Sequence, residues 1–309
     1  MEHVSVLLRE CIDYLNINPE GTYVDGTLGM GGHSEAIASR LTSGRLIGID
    51  RDDYALEFAS RRLAPFSDRF TAVKGNFSDL SDILDSLGIE RVDGMMFDLG
   101  VSSPQLDNAS RGFSYMKDAP LDMRMDSSAP LTARAVVNTW SEEELKRILY
   151  TYGEERYAPR IAAAIVAGRR QKTIETTLEL AGLIRGAMPA AALREKQHPA
   201  KRSFQAIRIV VNDELGSLER MLDTATDRLK PGGRLLVISF HSLEDRLVKQ
   251  AIHSRENGCT CPREFPVCVC GFKQTLRSVT RKPIIPGEEE MISNPRARSA
   301  RLRVAEKVL

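Results

Sequence analysis

Residues 22–38 read TYVDGTLGMGGHSEAIA. A short apolar run ends in Asp25, breaks into glycines at 26, 29, 31 and 32, and resumes with helix-forming residues. That is a strand, a tight turn and a helix start, and the N–H groups of such a turn commonly hold a ligand. Three ligand classes suit it: a nucleoside triphosphate, a dinucleotide and S-adenosylmethionine.

Spacing separates them. A phosphate loop needs G-x-x-x-x-G-K-[ST], but Gly26 and Gly31 are followed by Gly32 and His33, and no lysine is present. The dinucleotide fingerprint G-x-G-x-x-G/A is nearly met as Gly29-x-Gly31-x-x-Ser34, although the strand ends four residues before Gly29. The pattern D-x-G-x-G-x-G of Rossmann-like methyltransferases is met at Asp25, Gly29 and Gly31, with Thr27 replacing its first glycine. Glycines at 29, 31 and 32 let the backbone approach a ligand with no Cβ in the way. Asp50, in GIDRD (48–52), follows about 20 residues on, where a carboxylate can accept both ribose hydroxyls. The same acid suits NAD, so this end of the chain alone leaves two readings.

Working outward, short apolar runs alternate with helical patterns, the signature of an α/β fold with a largely parallel sheet. Strands are expected at 22–26, 45–50, 70–75, 92–98 and 234–240, with helices at 33–41 and 52–63. From about Asn108 to Phe204 the alternation stops and only helix-like patterns remain, such as SEEELKRILYTYG and RYAPRIAAAIVAGRR. The expected organisation is therefore a discontinuous Rossmann-like domain, 1–107 with 205–309, and an inserted helical domain, 108–204. The sheet should resume after NDELGSLERMLDTATDRLKPGG, a helix closed by Pro-Gly-Gly, and the tail should add two strands, partly antiparallel, for about seven in all.

The 309-residue chain has a net charge of only +1, which hides an asymmetry. Residues 1–126 hold 12 Lys+Arg against 21 Asp+Glu, while 127–309 hold 31 against 21. Basic side chains cluster in AGRRQK (167–172), HPAKRSFQAIR (198–208) and RARSARLR (296–303). A polyanionic partner suits such a surface, since Lys and Arg gain by displacing counterions from phosphates. No apolar stretch reaches the roughly 20 residues of a membrane span, and the N-terminus is not a signal peptide. A cytoplasmic location without a membrane partner is expected. Four of five cysteines form C-x-C-x6-C-x-C at Cys259, Cys261, Cys268 and Cys270. Four thiolates could hold zinc, but zinc pairs more usually enclose two residues; thiols in a loop are the alternative, and no metal ligand is assigned.

The fourth strand and its exit, VDGMMFDLGVSSPQLD (92–107), decide between the readings. Ligands of open α/β sheets sit beyond the carboxyl ends of strands near the switch in strand order. Amino-group methyltransferases place an acceptor there, and Asp98 occupies that position. An exocyclic base amine is a poor nucleophile because its lone pair is delocalised into the ring. Holding it in line with the S–CH3 bond, in a dry site beside a carboxylate, is most of the catalysis available. Attack by cytosine C5 would instead need a cysteine thiolate, often in a Pro-Cys pair that this chain lacks. The chemistry points to nitrogen.

Together with HVSVLL (3–8), DGTLGMGGHS (25–34), RGFSYMKDAPLDMRMD (111–126), YGEERYAPRIA (152–162), HPAKRSFQAIRIVVNDEL (198–215), LKPGGRLLVISFHSLEDRLVK (229–249) and NPRARSARLRVAE (294–306), the chain closely resembles the bacterial 16S rRNA (cytosine(1402)-N4)-methyltransferase family. The resemblance spans essentially the whole chain. It implies S-adenosylmethionine as cofactor, held by Gly29, Gly31, Gly32 and His33, with Asp50 on the ribose. Phe77 and Asp98 would flank the adenine and methyl regions, and Gln105 would complete the pocket. It implies 16S rRNA of the small ribosomal subunit as partner, not DNA, without fixing an oligomeric state. Phe113 and Tyr115 become candidate stacking platforms, Lys201, Arg202 and Arg208 candidate phosphate contacts, and His241 a residue bordering the base pocket. The strand end reads DLGVSS, not Asp-Pro-Pro-Tyr, so the packing aromatic is missing and Ser102, Ser103 and the 111–126 segment are expected to hold the base. A DNA amino-methyltransferase and a non-catalytic, cofactor-gated assembly factor are the alternatives.

Overall fold

The apolar runs form seven strands: β1 (Thr22–Asp25), β2 (Arg45–Asp50), β3 (Phe70–Lys74), β4 (Val92–Asp98), β5 (Leu229–Ser239), β6 (Leu276–Ser278) and β7 (Arg301–Lys307). They are seen in a computed structural model that describes residues 5–262, 266–267 and 269–308. The helices before the fourth strand are α1 (Leu8–Leu15), α2 (Gly32–Ala38), α3 (Asp53–Arg62) and α4 (Leu80–Ser86). After it come α5 (Ser103–Asp107), α6 (Ala133–Thr139), α7 (Glu142–Gly153), α8 (Ala158–Gln171), α9 (Thr177–Ala187) and α10 (Lys201–Asn212). The last three are α11 (Glu214–Ala225), α12 (Ser242–Asn257) and α13 (Glu288–Ser293). Among the described residues no helix is long and apolar enough to cross a membrane.

One sheet contains all seven strands in the order β3-β2-β1-β4-β5-β7-β6. Neighbours from β3 to β5 run parallel, and β7 lies antiparallel between β5 and β6. This is the expected Rossmann-like α/β sheet, with its strand order reversing beside β1. Period-two alternation of side chains explains why helices must cover both faces. Val24, Ile47, Met95, Phe97, Leu235 and Val237 enter one apolar core. Tyr23, Leu46, Met96, Leu236 and Ile238 enter the other. The second face is covered by α1 and α2 through Cys11, Leu15 and Ile37, and the first by α11 and α12 through Leu218, Met221 and Val248.

The sheet unit comprises Met1–Gly100 with Leu215–Leu309, and a second compact unit comprises Val101–Glu214. These limits differ from the boundaries expected at 107/108 and 204/205. Val101 and Leu106 pack on the second unit's core, as do Phe204, Ile207 and Val211 of α10, so both flanking helices stay whole with that core. The Pro-Gly-Gly expectation also needs correction. α11 ends at Ala225, and Pro231-Gly232-Gly233 lies inside β5, where the pairing with β4 jumps from Val92↔Leu229 to Gly94↔Arg234. A proline has no N–H for the ladder, and Gly232 takes a positive φ of 78°, so the tripeptide bulges out of the pairing and does not cap a helix.

In the second unit α7 packs against α8 and α10, and α8 against α9. Buried Asn212 ties its irregular entry to α10: Oδ1 accepts the Met125 N–H at 2.7 Å, and Nδ2 donates to the Met123 carbonyl at 2.8 Å. Met123 holds a positive φ of 61°, strained for a residue with a side chain. Asn212→Ala would leave buried backbone groups without these partners, at about 1–3 kcal/mol each. A drop in melting temperature with unchanged far-UV circular dichroism is expected. A melting temperature equal to wild type would contradict this account.

Candidate active site

Three neighbouring parallel strands, β2, β1 and β4, each end in an aspartate: Asp50, Asp25 and Asp98. This is where the strand order reverses, and ligands of open sheets settle beyond such carboxyl ends. The glycine turn is stitched to both neighbours. Gly26 N–H donates to the Met96 carbonyl of β4 and Leu28 N–H to the Ile49 carbonyl of β2, each at 2.9 Å. Asp25 is buried; its Oδ2 accepts the Ser34 hydroxyl at 2.7 Å and its Oδ1 the Thr27 N–H at 3.2 Å. Thr27 Oγ1 in turn accepts the Asp98 N–H at 2.6 Å. The threonine that replaces a motif glycine thus links two of the three acids.

Gly29 and Gly31 take φ of 49° and 74°, in the left-handed region that favours glycine. Their surroundings differ. A Cβ on Gly31 would press on Ala59, 3.2 Å away, and one on Gly32 would collide with Ser5 Oγ. A Cβ on Gly29 would meet nothing closer than the Thr27 carbonyl oxygen at 3.7 Å. Gly31 and Gly32 are therefore required by the protein's own packing, and only Gly29 faces open space. Its N–H donates to Asp50 Oδ2 at 2.8 Å, while Asp50 Oδ1 accepts the Asp52 N–H at 2.9 Å. Burial raises the Asp50 pKa, and these two N–H groups oppose the rise.

Asp98 is the most perturbed acid here. Burial, reinforced by Asp25, Glu244 and Glu290, pushes its pKa up to about 8. Its side chain keeps 22% exposure, and among the described residues Oδ1 is buried without a hydrogen-bond partner. Its Oδ2 lies 3.9 Å from His33 Nδ1. The opposite ring nitrogen of His33 is 2.9 Å from the Val6 carbonyl; a carbonyl only accepts, so Nε2 carries the proton. Burial lifts Asp25 to about 6, against the pull of Ser34 and Thr27. Cys11, beneath the strand ends, is raised well above its ordinary value by burial and then by Asp98, so its thiol stays neutral. Phe77 is buried, edge-on to Phe97 with centroids 5.8 Å apart, and Arg51 lies 6.0 Å above its ring.

His241 is the N-cap of α12: its Nδ1 accepts the Glu244 N–H at 3.4 Å, and Nε2 lies 3.2 Å from Glu244 Oε1. That is a capping role.

The other expected residues lie in the second unit. Ser102 is the N-cap of α5, and its N–H donates to the Oε1 of buried Gln105 at 3.0 Å; Ser103 opens the helix. Phe113 is buried in that unit's core, so its ring faces are covered and the stacking expectation fails. Tyr115 is half-buried and stacks on His198, with centroids 4.5 Å apart and planes at 17°, and meets Phe204 edge-on. Burial, with Arg185 nearby, lowers the His198 pKa. Lys201 is exposed and Arg202 half-buried at the N-terminal end of α10. Arg208 departs from expectation: its guanidinium pairs with both Glu214 oxygens at 2.8 Å, with side chains only 18% and 7% exposed. It is committed to the fold and not to a phosphate.

Asp25, Thr27 and Ser34 were visible only as parts of a motif, and His198 only as one residue of a basic string; Glu290, 2.8 Å from Leu7 N–H, carried no local signal. As assembled, an acid-lined mouth with one unsatisfied carboxyl oxygen, beside a glycine that faces open space, fits a cationic, hydrogen-bonding ligand.

The chain is similar to known proteins. The family model described as the MraW methylase family matches residues 1–308. A protein of Brevibacillus brevis called ribosomal RNA small subunit methyltransferase H is 56% identical over 307 residues, covering 99% of this chain and 98% of its own. One of the same name from Carboxydothermus hydrogenoformans is 58% identical over 306 residues, with the same shares. Among solved structures, an rRNA methylase from Streptococcus thermophilus is 12% identical over the full length of both chains, with a TM-score of 0.44. With its glycine turn, its three strand-end aspartates and a match over nearly its whole length, the chain belongs to the MraW methylase family.

Proposed function

We propose that this chain transfers the methyl group of S-adenosylmethionine to N4 of a cytosine, position 1402 of 16S rRNA, in the decoding region of the small ribosomal subunit. The observation that carries the reading is the unsatisfied Oδ1 of Asp98, at the end of β4 and beside the glycine turn. An exocyclic NH2 would supply the missing donor, and accepting from it frees the nitrogen lone pair for attack. The neutral Cys11 supports nitrogen over carbon, since attack at C5 needs a thiolate.

S-adenosylmethionine, when bound, supplies a positively charged sulfonium and an electrophilic methyl. Gly29 offers the open backbone for it, with Gly31, Gly32 and His33 shaping the turn, Asp50 positioned for the ribose and Phe77 for the adenine. Burial and the neighbouring acids Asp25, Glu244 and Glu290 raise the Asp98 pKa; a bound cation would oppose them and favour ionised Asp98. Ionised Asp98 would accept the amine hydrogen bond, the donor would supply the methyl group and retain the sulfur electron pair, and the amine proton would pass to water. Ser102 and Ser103 are assigned to the cytosine, and Gln105 steadies Ser102 through its N–H. The second unit would meet folded RNA through the Tyr115–His198 stack and through Lys201 and Arg202, because RNA is read by shape, phosphate and base stacking. The direct test is tritiated methyl transfer to small subunits lacking the modification, alongside naked rRNA and DNA. Label confined to small-subunit RNA is expected; equal labelling of DNA, or none, would overturn the reading.

Asp98→Asn should lower kcat by roughly 100- to 10,000-fold. In wild type, kcat/KM for the methyl donor should rise as pH passes through about 8, where the acceptor ionises, and the variant should lose that limb. Stability should move the opposite way. The folded chain holds this proton above the ordinary value of 3.8, so stability falls between about pH 4 and pH 8, where the unfolded chain sheds the proton that the buried carboxyl keeps. The variant should therefore melt higher than wild type at pH 8, and the difference should vanish near pH 4. Turnover equal to wild type, or a flat pH profile, would contradict the assignment.

Lys201→Ala and Arg202→Ala should each weaken small-subunit binding and reduce the slope of log affinity against log salt by about 1, with the melting temperature unchanged. Arg208→Ala should instead lower stability on the order of 3 kcal/mol by breaking a largely buried pair. An unchanged salt slope in the first two, with a wild-type melt in the third, would reverse these roles.

A further inference from the structure

The loop joining α12 to β6 carries three thiols that methyl transfer does not use. Cys259 and Cys261 lie near its start and Cys270 on its returning arm, and their sulfur atoms all lie within 4.8 Å of one another. The fourth cysteine of the cluster, Cys268, lies outside the described residues. Cys259 Sγ and Cys270 Sγ are 3.7 Å apart. A disulfide holds its sulfurs at about 2.05 Å. A tetrahedral ion with Zn–S bonds of about 2.3 Å holds neighbouring sulfurs about 3.8 Å apart, the edge of that tetrahedron. The observed spacing, which a thiol–thiol hydrogen bond also gives, matches that of two ligands on one ion.

A second observation concerns orientation. The backbone N–H groups of Val269 and Cys270 both donate to Cys261 Sγ, at 3.2 and 3.3 Å. Such outer donors orient a ligand on its ion. Val267 and Val269 of the returning arm are each 71% exposed, so their apolar side chains do not fasten it.

We propose that Cys259, Cys261 and Cys270 bind a thiophilic divalent cation, zinc by its tetrahedral preference, as three thiolates. The fourth position is open to a further donor. Each ligating thiol gives up its proton on binding, so affinity rises with pH. The ion cross-links the two arms of the loop and acts as a structural site, separate from the strand-end aspartates.

The test uses the full-length chain, purified without a metal-affinity tag or chelator. Elemental analysis should find about one zinc per chain. After removal of the metal, titration with cobalt(II) should produce thiolate-to-cobalt charge-transfer absorption and the visible bands of a tetrahedral ion. Cys259→Ser and Cys270→Ser should each weaken cobalt binding about 10-fold or more, with far-UV circular dichroism confirming that both variants fold. Cys11→Ser should keep the bands, because that buried thiol lies on α1. Absence of the bands in wild type would overturn the proposal. So would a non-reducing peptide map that joins Cys259 to Cys270.

Discussion

Everything at the candidate site depends on three carboxylates being held at the ends of adjacent parallel strands and withdrawn from water. Burial of an acid is unfavourable unless hydrogen bonds or opposite charge compensate, and the three are compensated unequally. Asp50 receives two backbone N–H groups and Asp25 a hydroxyl and an N–H. Asp98 is left, among the described residues, with an unsatisfied oxygen and with Asp25, Glu244 and Glu290 raising it further. The turn therefore places strain on one residue. That residue sits where a cation and a hydrogen-bond donor would relieve it.

The same constraint explains the glycine turn and the N-terminal segment. The turn must reach β2 and β4 with its backbone while its helix packs on Ala59 and Ser5, so two of its glycines serve packing and one faces outward. Val6 fixes the tautomer of His33 from the other side. The acid-rich first part of the chain builds this mouth, whereas the basic excess lies later. That division suits a protein that must attract a cationic donor and a polyanionic acceptor at once.

Much of the fold was legible because strand patterns are local. Continuous apolar runs such as RLIGID and VDGMMFD announce a sheet buried on both faces, and the spacing from the glycine turn to Asp50 places an acid on the neighbouring strand. What escaped was non-local. The Asp25–Thr27–Asp98 link exists only because β1 and β4 are neighbours, which their separation in sequence conceals. Arg208 reaches Glu214 across a helix break at Asp213, which has a positive φ of 48°, and no helical spacing signals such a pair. RGFSY has no period, so nothing in it distinguishes buried Phe113 from half-buried Tyr115. The unit boundaries shifted for a related reason: Leu106 and Phe204 lie on helices that answer to one core, and a change in sequence pattern does not reveal which core a helix serves.

The claim at the centre of this account is chemical: the pocket methylates an aromatic amine and not a ring carbon or a sugar hydroxyl. Mass spectrometry of nucleosides digested from unmodified small subunits, after incubation with the purified chain and isotopically labelled S-adenosylmethionine, tests it most directly. The account predicts labelled N4-methylcytidine. Label in 5-methylcytidine or in a 2′-O-methylated nucleoside would contradict it.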